Sequence, residues 1–130
     1  METVLQFLRE CRTFYLATVE GDQPRVRPFG AVSEFEGRLY ICTNNTKKVF
    51  RQMQENPKIE ISGMAGSNWI RLAASVVLDE RREAKAAMLE QNPSIQSMYS
   101  VDDGTFAVFY LRDATANILD FAGKNDVFTF

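Results

Sequence analysis

The sequence predicts a mainly β fold, a small antiparallel barrel with helices packed at its openings and sides. Three observations carry this. Short β-branched and aromatic runs recur along the chain, turn sequences of a few residues join most of them, and only two helical excursions interrupt the series. A parallel α/β sheet would instead need a helix after nearly every strand. At 130 residues, with 45 % hydrophobic and 25 % charged residues, the chain reads as one globular domain over residues 1–130 that can build a core without disulfide or metal staples.

Residues Glu2 to Arg12 place Val4, Leu5, Leu8 and Cys11 at helical spacing, which predicts a short amphipathic helix covering an end of the sheet. Thr13 to Val19 reads as a strand, Glu20 to Pro24 as its turn, and Arg25 to Phe35 as the returning strand. Glu36-Gly37 turns the chain into Arg38 to Thr43, which completes an antiparallel meander. Thr46 is placed to cap a helix with the stripe Val49, Phe50 and Met53, and Pro57 follows its end. Lys58 to Met64 and Asn68 to Leu78 are two further strands, the second burying Ile70, Leu72, Ala74, Val76 and Leu78. Asp79 to Gln91 reads as a charged helix and Pro93 opens a shorter one. Phe106 to Leu111, Thr115 to Phe121 and Val127 to Phe130 close the chain as strands.

Composition removes several function classes. The chain has no histidine, so a Ser-His-Asp triad, an HExxH zinc site and an imidazole base are all absent. Cys11 and Cys42 alone cannot complete a four-ligand zinc site, and no metal site is expected. A net charge of −2 gives no broad field for nucleic acid or an anionic membrane, so any anion site must be local. No basic leader and no run of about 20 apolar residues is present, and the expected location is cytoplasmic, with both cysteines reduced.

Two basic features point to such a local anion site. Arg25 and Arg27 are two apart on a strand, so their guanidinium groups project from one face. Lys47 and Lys48 open a helix whose free N–H groups already create positive potential. Cations there oppose the helix dipole unless an anion joins them, and a phosphate would take the N–H groups, a Thr43 or Thr46 hydroxyl and the ammonium groups together. Pro28 removes a ladder donor and so belongs at an edge or bulge, where backbone groups lack strand partners and can meet a planar heterocycle. Gly30 permits its close approach. The same residues also fit a plain solvated edge with surface lysines.

Phe14-Tyr15-Leu16-Ala17-Thr18-Val19 with Pro24-Arg25-Val26-Arg27-Pro28-Phe29-Gly30, then Leu39-Tyr40-Ile41-Cys42-Thr43-Asn44-Asn45-Thr46-Lys47-Lys48-Val49 and Glu55-Asn56-Pro57-Lys58-Ile59, resembles the pyridoxamine 5'-phosphate oxidase-like, FMN-binding split-barrel family. The likeness extends through Trp69-Ile70-Arg71-Leu72. It implies a six-stranded Greek-key split barrel with flanking helices and a homodimer holding FMN at the subunit interface. By position, Arg25 to Gly30 (Arg25, Val26, Arg27, Pro28, Phe29 and Gly30) would lie along the isoalloxazine ring and reach the phosphate through Arg25 and Arg27. Thr43 and Lys48 match the phosphate segment, with Lys47 beside them, and Cys42 and Trp69 match positions near the flavin. Cys42 reads more readily as a small buried hydrophobe than as a reactive thiol, and Trp69 reads equally as an interface anchor.

Two departures argue against vitamin B6 oxidation. Gly30 stands where the oxidase itself has a substrate lysine, and the oxidase's C-terminal arginine and histidine region has no counterpart. The implied activity is hydride or electron transfer through FMN, with no side chain required as acid or base. A nitro compound, a quinone, oxygen or a redox protein would be the acceptor. The alternatives are a non-catalytic flavin-binding electron carrier or stress-related protein, or a binder of F420 or haem on the same barrel.

Overall fold

The computed structural model describes residues 1–130. Its elements are α1 (Glu2–Cys11), β1 (Phe14–Glu20), β2 (Gln23–Phe29), β3 (Val32–Phe35), β4 (Arg38–Asn44), α2 (Lys48–Glu55), β5 (Lys58–Ala65), β6 (Asn68–Asp79), α3 (Arg82–Gln91), a 3-10 turn over Pro93–Ile95, β7 (Phe106–Leu119) and β8 (Asn125–Thr129). The strands form one antiparallel sheet in the order β2-β1-β5-β6-β7-β4-β3, with β8 added on β7. The fold is mainly β with flanking helices, as the sequence predicts, and it has eight strands rather than six.

Two strand assignments change in ways that shape the site. The segment from Arg25 to Phe35 is two strands: β2 pairs with β1, and after Gly30 and Ala31 the chain crosses to pair β3 with β4. The single meander read from the sequence is therefore two separate hairpins. Conversely, Phe106 to Leu111 and Thr115 to Phe121 are parts of one strand, β7. There Asp113 and Ala114 together oppose Ala74, a bulge with Asp113 at φ 51°. A bulge bends its strand without ending it, and the polar Arg112-Asp113 pair at the bend reads in sequence as a break.

The β2–β3 crossing closes the fold. Phe29 and Val32 are three Cα steps apart, at most about 11 Å, yet their strands are the opposite edges of the pairing order. Seven strands laid flat would separate those edges by about 29 Å. The sheet must curl until its edges nearly meet, and because β2 and β3 do not pair, the barrel is left split along this seam.

The curled interior packs Phe14, Leu16, Leu39, Ile41, Ile61, Ile70, Leu72 and Phe109 against Val4, Leu5 and Leu8 of α1 and Val49 and Met53 of α2. On β6 the predicted alternation holds for Ile70, Leu72, Ala74 and Val76, while Leu78 is half-buried. Gly63 suits a tight approach: a Cβ there would lie 3.1 Å from both Cys11 Sγ and Phe14 Cβ, so a larger residue would push α1 or β1 away from β5 by a few tenths of an ångström. A smaller cluster, Ala31, Tyr40, Phe106 and Val108 with Ala84, Met88 and Leu89 of α3, lies on the outer side of the sheet.

That outer cluster holds a buried polar pair. The Tyr40 hydroxyl donates to Asp79 Oδ2 at 2.7 Å, and Arg81 clasps the same carboxylate at 2.9 Å. Arg81 first, then Tyr40, hold the Asp79 carboxyl down at about 2, while burial lifts the Tyr40 hydroxyl to about 12. A carboxyl held low in the folded state contributes stability above its unfolded value near 4, and that contribution is lost as the pH falls through about 2. Asp79→Asn is therefore expected to lower the melting temperature at pH 7 and to narrow its gap from wild type between pH 4 and pH 2. Thermal unfolding across that range measures the gap.

Candidate functional site

The seam opens into a cavity of about 350 Å³. Arg27, Pro28 and Phe29 of β2 and the link Gly30–Ala31 form one wall, Cys42 and Thr43 of β4 the second, and Lys47 and Val49 at the start of α2 the third. The segment after α3 supplies a cover of Ser94, Ile95, Met98 and Tyr99. Of the residues singled out in the sequence, the structure gathers Arg27, Pro28, Phe29, Gly30, Cys42, Thr43 and Lys47 around this one space. Arg25, Val26, Lys48 and Trp69 lie outside its lining. Arg25 pairs with Glu20 on the exposed edge, Lys48 begins α2 close enough to act on Glu20, and Trp69 packs on Phe121 with ring centroids 4.8 Å apart.

The start of α2 differs from the sequence reading. Lys47 is the N-cap residue and no side chain caps the helix. Thr46 turns away instead, its N–H and hydroxyl both donating to Asn44 Oδ1. The first-turn N–H groups are thus left without a protein side-chain acceptor, and the turn contains no acidic residue. Neither Lys47 nor Lys48 enters an ion pair.

Arg27 is the second cation of the wall, and its setting is unusual. Its Nη1 donates to Leu16 O at 3.2 Å and to Thr18 Oγ1 at 2.8 Å, and its Nη2 donates to Gln52 Oε1 at 2.6 Å. All three acceptors are neutral, and no carboxylate lies within ion-pair distance. Two of the five guanidinium N–H groups remain without a protein acceptor. Burial pulls its pKa below the ordinary arginine value, with Arg25 the next cause, although the group stays charged.

The cover is held by contacts that the sequence did not reveal. Asn44 Nδ2 donates to the Tyr99 hydroxyl at 2.9 Å, and the Tyr99 ring stacks on Phe106 at 4.8 Å. The Asp103 carboxylate accepts backbone N–H groups from Ser100, Thr105 and Phe106, which hold its carboxyl down at about 2 and fix the loop carrying Tyr99. An Asp followed by Gly is an ordinary turn signal. The signal missed was its reach across three donors.

Cys42 faces the cavity as a neutral thiol, because burial pushes it up to about 12 against a small opposing pull from Lys47. A second concavity, about 520 Å³, lies by Glu36, Arg38, Asp79, Arg81 and Tyr110. Its Arg81 is already neutralised by Asp79 and Glu36, and no residue singled out in the sequence lines it.

The comparisons with known proteins agree with this architecture. A sequence profile described as pyridoxamine 5'-phosphate oxidase matches residues 1–117. The chain belongs to the pyridoxamine 5'-phosphate oxidase-like family. Among solved structures, a NimC/NimA family protein from Clostridium acetobutylicum is 57 % identical, with a TM-score of 0.96 over 100 % of this chain and 93 % of that one. General stress protein 26 from Bacillus anthracis shares the fold at 16 % identity, TM-score 0.78, over 99 % of this chain and 97 % of that one. A haem-binding protein from Mycobacterium smegmatis does so at 20 % identity, TM-score 0.73, over 94 % of this chain and 57 % of that one. The curated proteins contain no match. No helix of this family member is long and apolar enough to cross a membrane.

The position of Cys42 in this family member sets a test. Folded protein should resist iodoacetamide at Cys42 at pH 8 while unfolded protein is alkylated there, since the thiolate is the reactive form. Peptide mass mapping of the two samples measures the difference.

Proposed function

We propose that this protein is an FMN-binding oxidoreductase that acts as a homodimer. The observation that carries the reading is the cavity itself: two cations and no carboxylate, beside an uncapped helix start and the unpaired β2 edge. These residues fit a flavin phosphoester. Lys47, Arg27 and the first-turn N–H groups of α2 would take its charge, with Lys48 and Arg25 adding long-range attraction from outside the lining. The backbone of Pro28 to Gly30 would meet the ring edge. When bound, FMN would supply hydride or electron transfer at its N5. The chain's contribution is to orient the ligand, exclude water with Ile95, Met98 and Tyr99, and present a neutral Cys42 thiol that does not compete for the electrons.

The outer face of the sheet supports a second subunit. Register places Val26, Tyr15, Met64 and Trp69 on one outer face of the sheet, where Val26 is 68 % exposed, and the neighbouring Phe121 is 79 % exposed. Large apolar side chains exposed together, with Glu60, Ser62 and Arg71 among them on the same face, favour an interface there. Docking a second copy there gives Trp69 the role of an interface anchor.

The electron acceptor would be a nitro compound, a quinone, oxygen or a redox protein. Haem is the second reading, favoured by Cys42, Met98 and Tyr99 lining one cavity, each a residue type that can ligate iron. The visible spectrum of the purified protein, with mass identification of the released chromophore, separates flavin from haem.

Lys47→Glu and Lys48→Glu should each weaken FMN binding by about tenfold or more, with the larger loss at Lys47, which lines the cavity. Lys58→Glu, on an exposed position of β5, should bind as wild type. Flavin fluorescence titration reads all three. Light scattering should give twice the 14.8 kDa chain mass, and a monomer at micromolar concentration would contradict the dimer.

A further inference from the structure

We propose that Gln52 and Thr18 are positioning residues that hold Arg27 as an unneutralised cation at the cavity wall, reserved for an anionic group of the bound ligand. The identity of that ligand rests on the flavin reading above, and the positioning does not.

Gln52 lies on α2 in the same buried stripe as Val49 and Met53, where an apolar side chain would ordinarily stand, and it is almost fully buried, as is Thr18 on β1. Its two amide atoms do opposite things. Oε1 accepts from Arg27 Nη2 and from the Thr18 hydroxyl, both at 2.6 Å, while Nε2 donates to Glu20 Oε2 at 3.3 Å. Only an amide can face a cation with its oxygen and a carboxylate with its nitrogen. A glutamate at this position would pair with Arg27 and cancel its charge. A leucine or methionine would leave the guanidinium without its acceptor.

Arg25 completes the arrangement. Its Nε and Nη2 both donate to Glu20 Oε1, at 3.1 and 2.9 Å, so the nearest carboxylate is engaged on the outer edge and forms no ion pair with Arg27, on which it acts only through space. The two arginines that the sequence places on one strand face therefore have different fates, one neutralised and one left free. A partly buried cation held only by neutral acceptors, with two unused donors and a cavity beside it, is arranged to receive an anion.

The test uses the full chain as wild type, Gln52→Glu, Gln52→Met and Thr18→Val. Inorganic phosphate is the first probe, read by the Arg27 Nε–Hε resonance and by the rise in Tm with phosphate. FMN and riboflavin, which differ only in the phosphate, are the second. In wild type, phosphate should shift the Arg27 resonance and raise Tm. In Gln52→Glu the Arg27 resonance should no longer shift, the rise in Tm should shrink to what Lys47 and the α2 N–H groups supply, and the preference for FMN over riboflavin should fall by about tenfold or more, with smaller losses in Gln52→Met and Thr18→Val.

A merely structural cradle would lower Tm in every variant without changing the phosphate response or the FMN-to-riboflavin ratio, and that result overturns the proposal. Absence of any wild-type phosphate response overturns it too. A phosphate response that depends on Gln52, in a protein that binds neither flavin, upholds the positioning role and refutes the flavin reading. If Gln52→Glu fails to fold, the same comparisons in Gln52→Met and Thr18→Val decide the matter.

Discussion

The two-residue link between β2 and β3 ties together the strands that stand at opposite ends of the pairing order, and the geometry of the molecule follows from that tie. The sheet has to curl, its two edges come close without hydrogen-bonding, and the mouth between them becomes the cavity. The same short tie also brings β2 beside the end of β4 and the start of α2, where Arg27 and Lys47 meet. Core packing then keeps the curl in place: α1 and α2 fill the barrel from its open sides with Leu5, Leu8 and Met53, and Gly63 lets α1 and β1 come within contact distance of β5.

Charge is distributed around this mouth with a consistent logic. Where acids and bases serve the fold they are paired, as in Asp79 with Tyr40 and Arg81, or Arg25 with Glu20. Where they face the cavity they are not, as in Arg27 and Lys47. A cation kept part-way from water with neutral acceptors is less stable than one in an ion pair, so the arrangement is intelligible chiefly through what it can bind.

Much of the fold was legible in the sequence because local patterns decide it. The alternation on β6, the turn residues Glu36-Gly37 and the α1 stripe each fix an element without reference to distant residues. The break at Gly30–Ala31 was not legible, since Val32 to Phe35 continues the β pattern and only the partner strand changes. The β7 bulge was misread for the converse reason, a local polar interruption inside a strand that its neighbours hold together. Within the site, Arg27, Cys42, Thr43 and Lys47 carried chemical signals in their own short segments. Gln52 and Thr18 carried none, because a helix glutamine and a strand threonine are ordinary surface residues until residues 34 positions apart are brought within 2.6 Å.

The unpaired seam bears on how the barrel would respond to the ligand proposed for it. A molecule that touches β2 on one side and β4 with α2 on the other spans the gap that the backbone leaves open, so it acts as the missing rung between the two edges. Occupancy and folding are then linked by mass action. The folded barrel would then gain stability with ligand concentration, as any two walls do when one molecule bridges them.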